Sequence, residues 1–192
     1  MYQRILVPLD GSELAEVALP YAEELAERLG GEMTLLHVCD SAEDPNRHTH
    51  EVYIEKMAES MGERGLKAKP ALLFGHVAEQ RVDYADTEAI GLIIMATHGR
   101  SGIRRWVLGD VAAKVVRASS RPVALIRAEA GPPKPRDGIL SKILVPLDGS
   151  KESEVVIPRV EPLASQLNSE IVLLHVIAPT YFVYSILSLI HI

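Results

Sequence analysis

The sequence predicts a doubly wound α/β domain built on a five-stranded parallel sheet, followed by the opening part of a second copy. Three observations carry this. Short apolar runs alternate with helical stretches from Arg4 to Ile126. The segment ILVPLDGS occurs at Ile5–Ser12 and again, unchanged, at Ile143–Ser150. Further identities keep that spacing: Val17 with Val155, Pro20 with Pro158, Leu25 with Leu163, and Leu35-Leu36-His37-Val38 with Leu173-Leu174-His175-Val176. A repeat of this extent marks duplication of a structural unit.

Arg4 to Leu9 reads as a buried strand, and Asp10-Gly11-Ser12 turns the chain into a helix. Ser12 is placed to cap that helix, and Glu13 favours its positive end. Val17, Ala18, Ala22, Leu25, Ala26 and Leu29 share one helical face, and Gly30-Gly31 ends it. Met33–Val38 is the second strand, followed by a polar loop and a weaker helix from about Thr49 to Arg64. Ala68–Phe74 is a third strand and Val77–Thr87 a third helix. Leu92–Ala96 is a fourth strand, Val111–Ala118 a helix, and Val123–Ile126 the last strand. Helical crossovers between strands give a parallel sheet covered on both faces.

Residues 1–128 therefore form one complete domain. Residues 129–140, with Gly131-Pro132-Pro133-Lys134-Pro135, read as a stiff linker. Residues 141–192 read as strand, helix and strand of a second copy, too little to bury a core independently. The tail Leu187–Ile192 matches the translation of a transposon-derived sequencing adapter, so it is expected to be non-native and the chain to be truncated.

Composition narrows the function classes. The chain has 192 residues, 47% of them apolar, and a formal charge of 20 − 26 = −6. That charge disfavours a phosphate backbone, so no nucleic-acid partner is expected. A single cysteine, Cys39, forms no intrachain disulfide, and no leader precedes the first strand, which points to the cytoplasm. Ile171–Ile192 carries no Asp, Glu, Lys or Arg, but Pro179 interrupts it and its first half repeats the strand around Leu35, so no membrane span is expected.

In an open parallel sheet, ligands bind beyond the carboxyl ends of the strands, where the winding reverses. Two loops lie at such ends: Pro8-Leu9-Asp10-Gly11-Ser12, and Ala96 to Val111 with the sequence ATHGRSGIRRWVLGDV. Gly99, Gly102 and Gly109 allow close backbone approach, the helix after Gly109 offers free N–H groups, and Arg100, Arg104 and Arg105 add charge. These residues point to a phosphorylated ligand. Neither GxGxxG nor GxxxxGK[ST] is present, so a solvated turn is the competing reading.

Taken together, ILVPLDGS, the LLHV strand end, MATHGRSG, LGDVAAKVVR and RPVALI resemble the universal stress protein family. The resemblance covers the whole first copy and the start of a second. It implies strand order 3-2-1-4-5, a Rossmann-like adenine-nucleotide-binding fold, and binding of ATP or another adenine nucleotide. Its nucleotide-binding pattern of Gly, two residues, Gly, nine residues, Gly and Ser or Thr falls on Ala96, Gly99, Gly109 and Asp110. Asp10 would lie on the adenosine side of the pocket, the Val38 backbone would meet adenine, and Gly99 and the Gly109 turn would hold phosphates; Pro8, Leu9, His98, Arg100, Gly102 and Val111 complete the expected nucleotide-binding set. The resemblance also implies a homodimer through the last strand, Pro122–Arg127, an apolar edge that needs covering.

Two departures bear on that function. Ala96 adds a methyl group where the family has glycine. Asp110 puts a carboxylate where the family has a hydroxyl, repelling a terminal phosphate unless Mg²⁺ bridges the two. Asp110 also suits a helix N-terminus, Asp10 a turn and cap, and His98 a loop filler rather than a phosphate contact. His48, His50 and Glu51 have the make-up of a metal cluster, but their setting reads as solvated. His37 and His175 read as packed strand-end histidines. No nucleophile lies beside a base, so no catalytic residue is assigned, and at most weak ATP hydrolysis is expected. The leading expectation is an adenine-nucleotide-binding sensor or regulator in the stress response. The alternative is a member of that family that binds no nucleotide and acts through dimerisation and protein contacts.

Overall fold

The computed structural model describes residues 2–98, 108–127 and 140–176. Most of the Pro/Gly linker, the tail Leu187–Ile192, and Gly99, Arg100 and Gly102 lie outside the described residues.

The first copy contains β1 (Arg4–Leu9), α1 (Glu13–Glu16), α2 (Leu19–Leu29), β2 (Glu32–Cys39), α3 (Arg47–Glu63), β3 (Ala68–Phe74) and α4 (Val77–Thr87). It is completed by β4 (Leu92–Ala96), α5 (Asp110–Ala118) and β5 (Val123–Ile126). The five strands form one sheet in the order β3-β2-β1-β4-β5, and every pairing is parallel.

Strand alternation sends neighbouring side chains to opposite faces. Ile5, Val7, Leu9, Met33, Leu35 and Ile94 pack beneath α1, α2 and α3 with Leu25, Ile54 and Met61. Leu6, Leu36, Val38, Ile93 and Met95 face α4 and α5, against Ala85, Ala112 and Val115. Most of these aliphatics are fully buried, each contributing roughly 1.5–3 kcal/mol.

The sequence predicts one helix from Glu13 to Leu29; the structure breaks it at Val17-Ala18. Pro20 is the cause. It lacks the N–H that would bond to Glu16, and its ring crowds the preceding turn. It is tolerated in the first turn of α2, where that donor would be orphaned anyway. The second copy repeats the break around Pro158, giving α6 (Lys151–Glu154) and α7 (Ile157–Leu167).

Those helices lie between β6 (Lys142–Leu147) and β7 (Glu170–His175), which pair in parallel as a two-stranded sheet. Among the described residues of this copy only Val145, Ala164 and Leu167 are buried apolar side chains. Helix α7 rests on α2. Leu167 is 1% exposed and belongs to the core cluster beneath α1–α3, with Leu163 packed beside it. Tyr2 Oη donates to the Arg159 carbonyl at 2.5 Å, and Arg28 Nη2 donates to the Leu167 carbonyl. Among the described residues no helix is long and apolar enough to cross a membrane.

Candidate functional site

Proline 8 opens the site. The Gln3 carbonyl accepts from Glu32 N–H at 2.7 Å on the β2 side, and the Arg4 carbonyl accepts from Gly91 N–H at 2.8 Å on the β4 side. Pro8 has the parity of Arg4, so it faces β4 with no N–H to donate. The β1–β4 register accordingly ends at Leu6–Ile93, while β1–β2 continues to Leu9–His37. The strands part where the winding reverses, and a cleft of about 420 Å³ opens beyond their carboxyl ends.

Pro8, Asp10, Val38, Ala96, His98, Gly109, Asp110 and Val111 all line this cleft. Leu9 does not; it is fully buried in the core beneath α1–α3. Asp10 closes the turn at the edge of the cleft. Its Oδ1 accepts from Ser12 N–H at 3.0 Å and from Ser12 Oγ at 2.6 Å, closing the turn while the residue borders the cleft. Ser12 Oγ in turn accepts from Ala15 N–H at 3.2 Å and caps α1. Gly11, at φ +78°, supplies the left-handed backbone this turn needs. The second copy builds the same turn from Asp148 and Ser150, whose hydrogen bonds hold the Asp148 carboxyl down to about 2.

Gly109 donates its N–H to the Thr97 carbonyl at 3.0 Å, which ties the start of α5 to the end of β4. A Cβ at residue 109 would meet that same oxygen at 3.0 Å. Gly109 is the N-cap of α5 and caps without a side chain, so Asp110 is the first helical residue rather than the cap. Asp110 is exposed at the mouth of the cleft, where the positive end of the helix favours its charge.

Arg81 Nε and His98 Nε2 are buried in the cleft and find no hydrogen-bond partner among the described residues. His98 uses its other nitrogen, Nδ1, which lies 3.1 Å from Thr97 Oγ1. Arg81 comes from α4 and is 7% exposed. Burial pushes its guanidinium down to about 10, against the pull of the nearby Asp10 carboxylate. An unpaired buried donor costs about 1–3 kcal/mol, more when charged, so these groups suit a polar ligand that reaches them. The sequence signal for Arg81 is its position one turn before the fully buried Ala85, a charge on the inward stripe of α4. A wider groove of about 700 Å³ between α4 and α5 shares Val77 and Val111 with the cleft, but none of the unpartnered buried atoms lines it.

Of the histidines near the start of α3, one departs from the solvated reading. His48 is exposed, but His50 is half-buried, with its ring stacked on His37 at 4.3 Å. His50 lies one turn before Ile54 and so begins the buried stripe of α3 that continues through Ala58 and Met61.

The model of the universal stress protein family matches residues 1–127 and 140–189. This chain belongs to that family. It is 26% identical over 155 residues to universal stress protein MJ0577 of Methanocaldococcus jannaschii, covering 66% of this chain and 96% of that protein. The solved structure of MJ0577 superposes with a TM-score of 0.61 at 30% identity, covering 68% of this chain and 99% of that one. A universal stress protein from Archaeoglobus fulgidus, solved in complex with dAMP, matches with a TM-score of 0.54 at 21% identity; 65% of this chain and 97% of that one are covered. Another universal stress protein, in complex with cAMP, matches with a TM-score of 0.55 at 21% identity, over 67% of this chain and 98% of the other. At that identity the last two speak for the fold.

Proposed function

We propose that the first copy of this universal stress protein binds an adenine nucleotide in the β1–β4 cleft. It would act in the cytoplasm as a nucleotide-responsive regulator of the stress response. The presence of Arg81 Nε and His98 Nε2, both buried and without a hydrogen-bond partner among the described residues, in one cleft at the switch point carries the reading. The start of α5 adds backbone donors at the mouth. That members of this fold hold dAMP and cAMP makes an adenine ring a reasonable occupant. Adenine would lie against Val38 and Met95, ribose near Asp10, and phosphates toward Gly99 and Gly109.

Asp110 sets which nucleotide is held. Its carboxylate opposes the outermost phosphate, so without a divalent metal ATP should bind no better than AMP. Mg²⁺ would help ATP most, by bridging carboxylate and phosphate. Asp110→Ser should tighten metal-free ATP binding by about tenfold, equivalent to ~1.4 kcal/mol, and leave AMP nearly unchanged. Calorimetry with both nucleotides in chelator reads this directly. Equal ATP affinity in the two proteins would place Asp110 away from the phosphates.

Ala96 and Asp110 favour a second reading, a member of the family that binds no nucleotide and works through protein contacts. Absence of binding by either protein would select it. In both readings the first copy would pair with another through β5. That strand lies at the sheet edge, and its Leu125 is 37% exposed. Sedimentation of the full chain at micromolar concentration should give a dimer that Leu125→Lys dissociates; a wild-type monomer would rule the pairing out.

A further inference from the structure

The carboxyl end of β2 and the first turns of α3 bring together three side chains that the nucleotide reading does not use as a group. His37 and Cys39 are two residues apart on β2 and point to the same face of the sheet, the one covered by α3. His50 descends onto them from α3. One ring nitrogen from each histidine and the Cys39 sulfur lie within 4.8 Å of one another. Cys39 is 3% exposed, His37 is 4% exposed, and His50 is half-buried.

We propose that His37, Cys39 and His50 form a binding site for Zn²⁺ or a similarly borderline-soft dication, with one coordination position left open. Two imidazoles and one thiolate are a donor set such ions favour over Mg²⁺ or Ca²⁺. Metal–ligand bonds of about 2.0–2.3 Å place tetrahedral donors about 3.3–3.8 Å apart, so the trio closes by roughly 1 Å around the ion. Side-chain rotation suffices, because His50 sits in the first turns of its helix, next to the loop from Asp40 to Asn46.

The charges around the trio suit a cation. The carboxylates of Asp44 and Asp40 put negative charge near the Cys39 sulfur, and Arg47 opposes it. The same negative field attracts a dication, whose binding displaces the thiol proton. Arg47 itself is drawn over the Phe74 ring, 5.1 Å from its centre. The Asp44 carboxylate lies 3.8 Å from His50 Nε2 and adds negative charge beside the ring. The second copy keeps the histidine as His175 but has Ile177 at the position of Cys39, so the site belongs to the first copy alone. His37 also lines the nucleotide cleft, which gives an ion a route in.

Titration of the reduced, metal-stripped full chain with Co²⁺ tests the site, because a cobalt–thiolate bond has its own near-ultraviolet charge-transfer absorption. The expected result is one Co²⁺ per chain, carrying that band together with the strong visible bands of tetrahedral cobalt, and displaced by Zn²⁺. Cys39→Ser should abolish the band. His50→Gln, at a half-buried position where folding is least at risk, should weaken Zn²⁺ binding by about tenfold or more, whereas His48→Gln at the exposed neighbour should not. Co²⁺ binding without the charge-transfer band, or Zn²⁺ affinity equally indifferent to both histidine changes, would overturn the assignment. No nucleotide is needed in any arm, so the result stands apart from the fate of the nucleotide reading.

Discussion

Arg81→Met is expected to make the protein more stable and a poorer nucleotide binder. The two effects have one source. In the free protein Arg81 is a buried cation whose Nε has no hydrogen-bond partner among the described residues, and burial already lowers its proton affinity to about 10. Methionine keeps an unbranched, helix-compatible side chain and removes the desolvated charge. A gain of about 1–3 kcal/mol would raise the melting temperature by several degrees in a chain of this size. Bound ligand loses the opposite amount. A hydrogen bond to a charged group is worth about 1.5–3 kcal/mol, so affinity should fall by about tenfold to a hundredfold. Scanning calorimetry and nucleotide titration of one variant read both signs. Unchanged affinity would remove Arg81 from the ligand's surroundings. A lower melting temperature would mean that attraction to Asp10 outweighs desolvation in the empty cleft.

The second large effect is expected far from the cleft. Leu167→Ala should cost about 2–5 kcal/mol, the usual range for emptying a buried leucine site. The loss should fall unevenly. Leu167 is contributed by α7 but sits in the core of the first copy, and the second copy has few other buried apolar side chains among its described residues. The first copy keeps the rest of that cluster and the whole of the one facing α4 and α5. Amide exchange should therefore accelerate by about a hundredfold or more in β6, α7 and β7 while β1, β2 and β4 keep most of their protection. Equal acceleration in both copies would show that they unfold as one cooperative unit.

Most of the architecture was legible because each strand is a run of aliphatics closed by a turn signal, and because the repeat displayed the first three elements twice. The break before Pro20 was not legible, because the apolar face from Val17 to Leu29 keeps one helical period across it. The site was harder. Loop glycines and the Asp10 turn lie in local sequence, and their parity and spacing can be read there. Arg81 and His50 lie on helices with weak apolar periodicity, so their inward orientation shows only once Ala85 and Ile54 are known to be buried. The approach of His50 to His37 and Cys39 depends on how α3 crosses the end of β2, a tertiary fact that no local pattern encodes.

Proline 146 holds in β6 the place that Pro8 holds in β1, and its surroundings give it another consequence. The Ser141 carbonyl accepts from Glu170 N–H at 2.9 Å, so Ser141, Ile143 and Val145 turn their backbone groups toward β7. Pro146 has the opposite parity and faces the unpaired side of the two-stranded sheet. The two strands also carry exposed apolar side chains such as Leu144 and Leu173, and that edge is unpaired among the described residues, the ingredients of intermolecular strand addition. A strand docking there would find a missing donor two residues past Leu144, and its hydrogen-bond ladder could not propagate. The same proline that lets β1 part from β4 thus interrupts the hydrogen-bond ladder on the corresponding edge of β6.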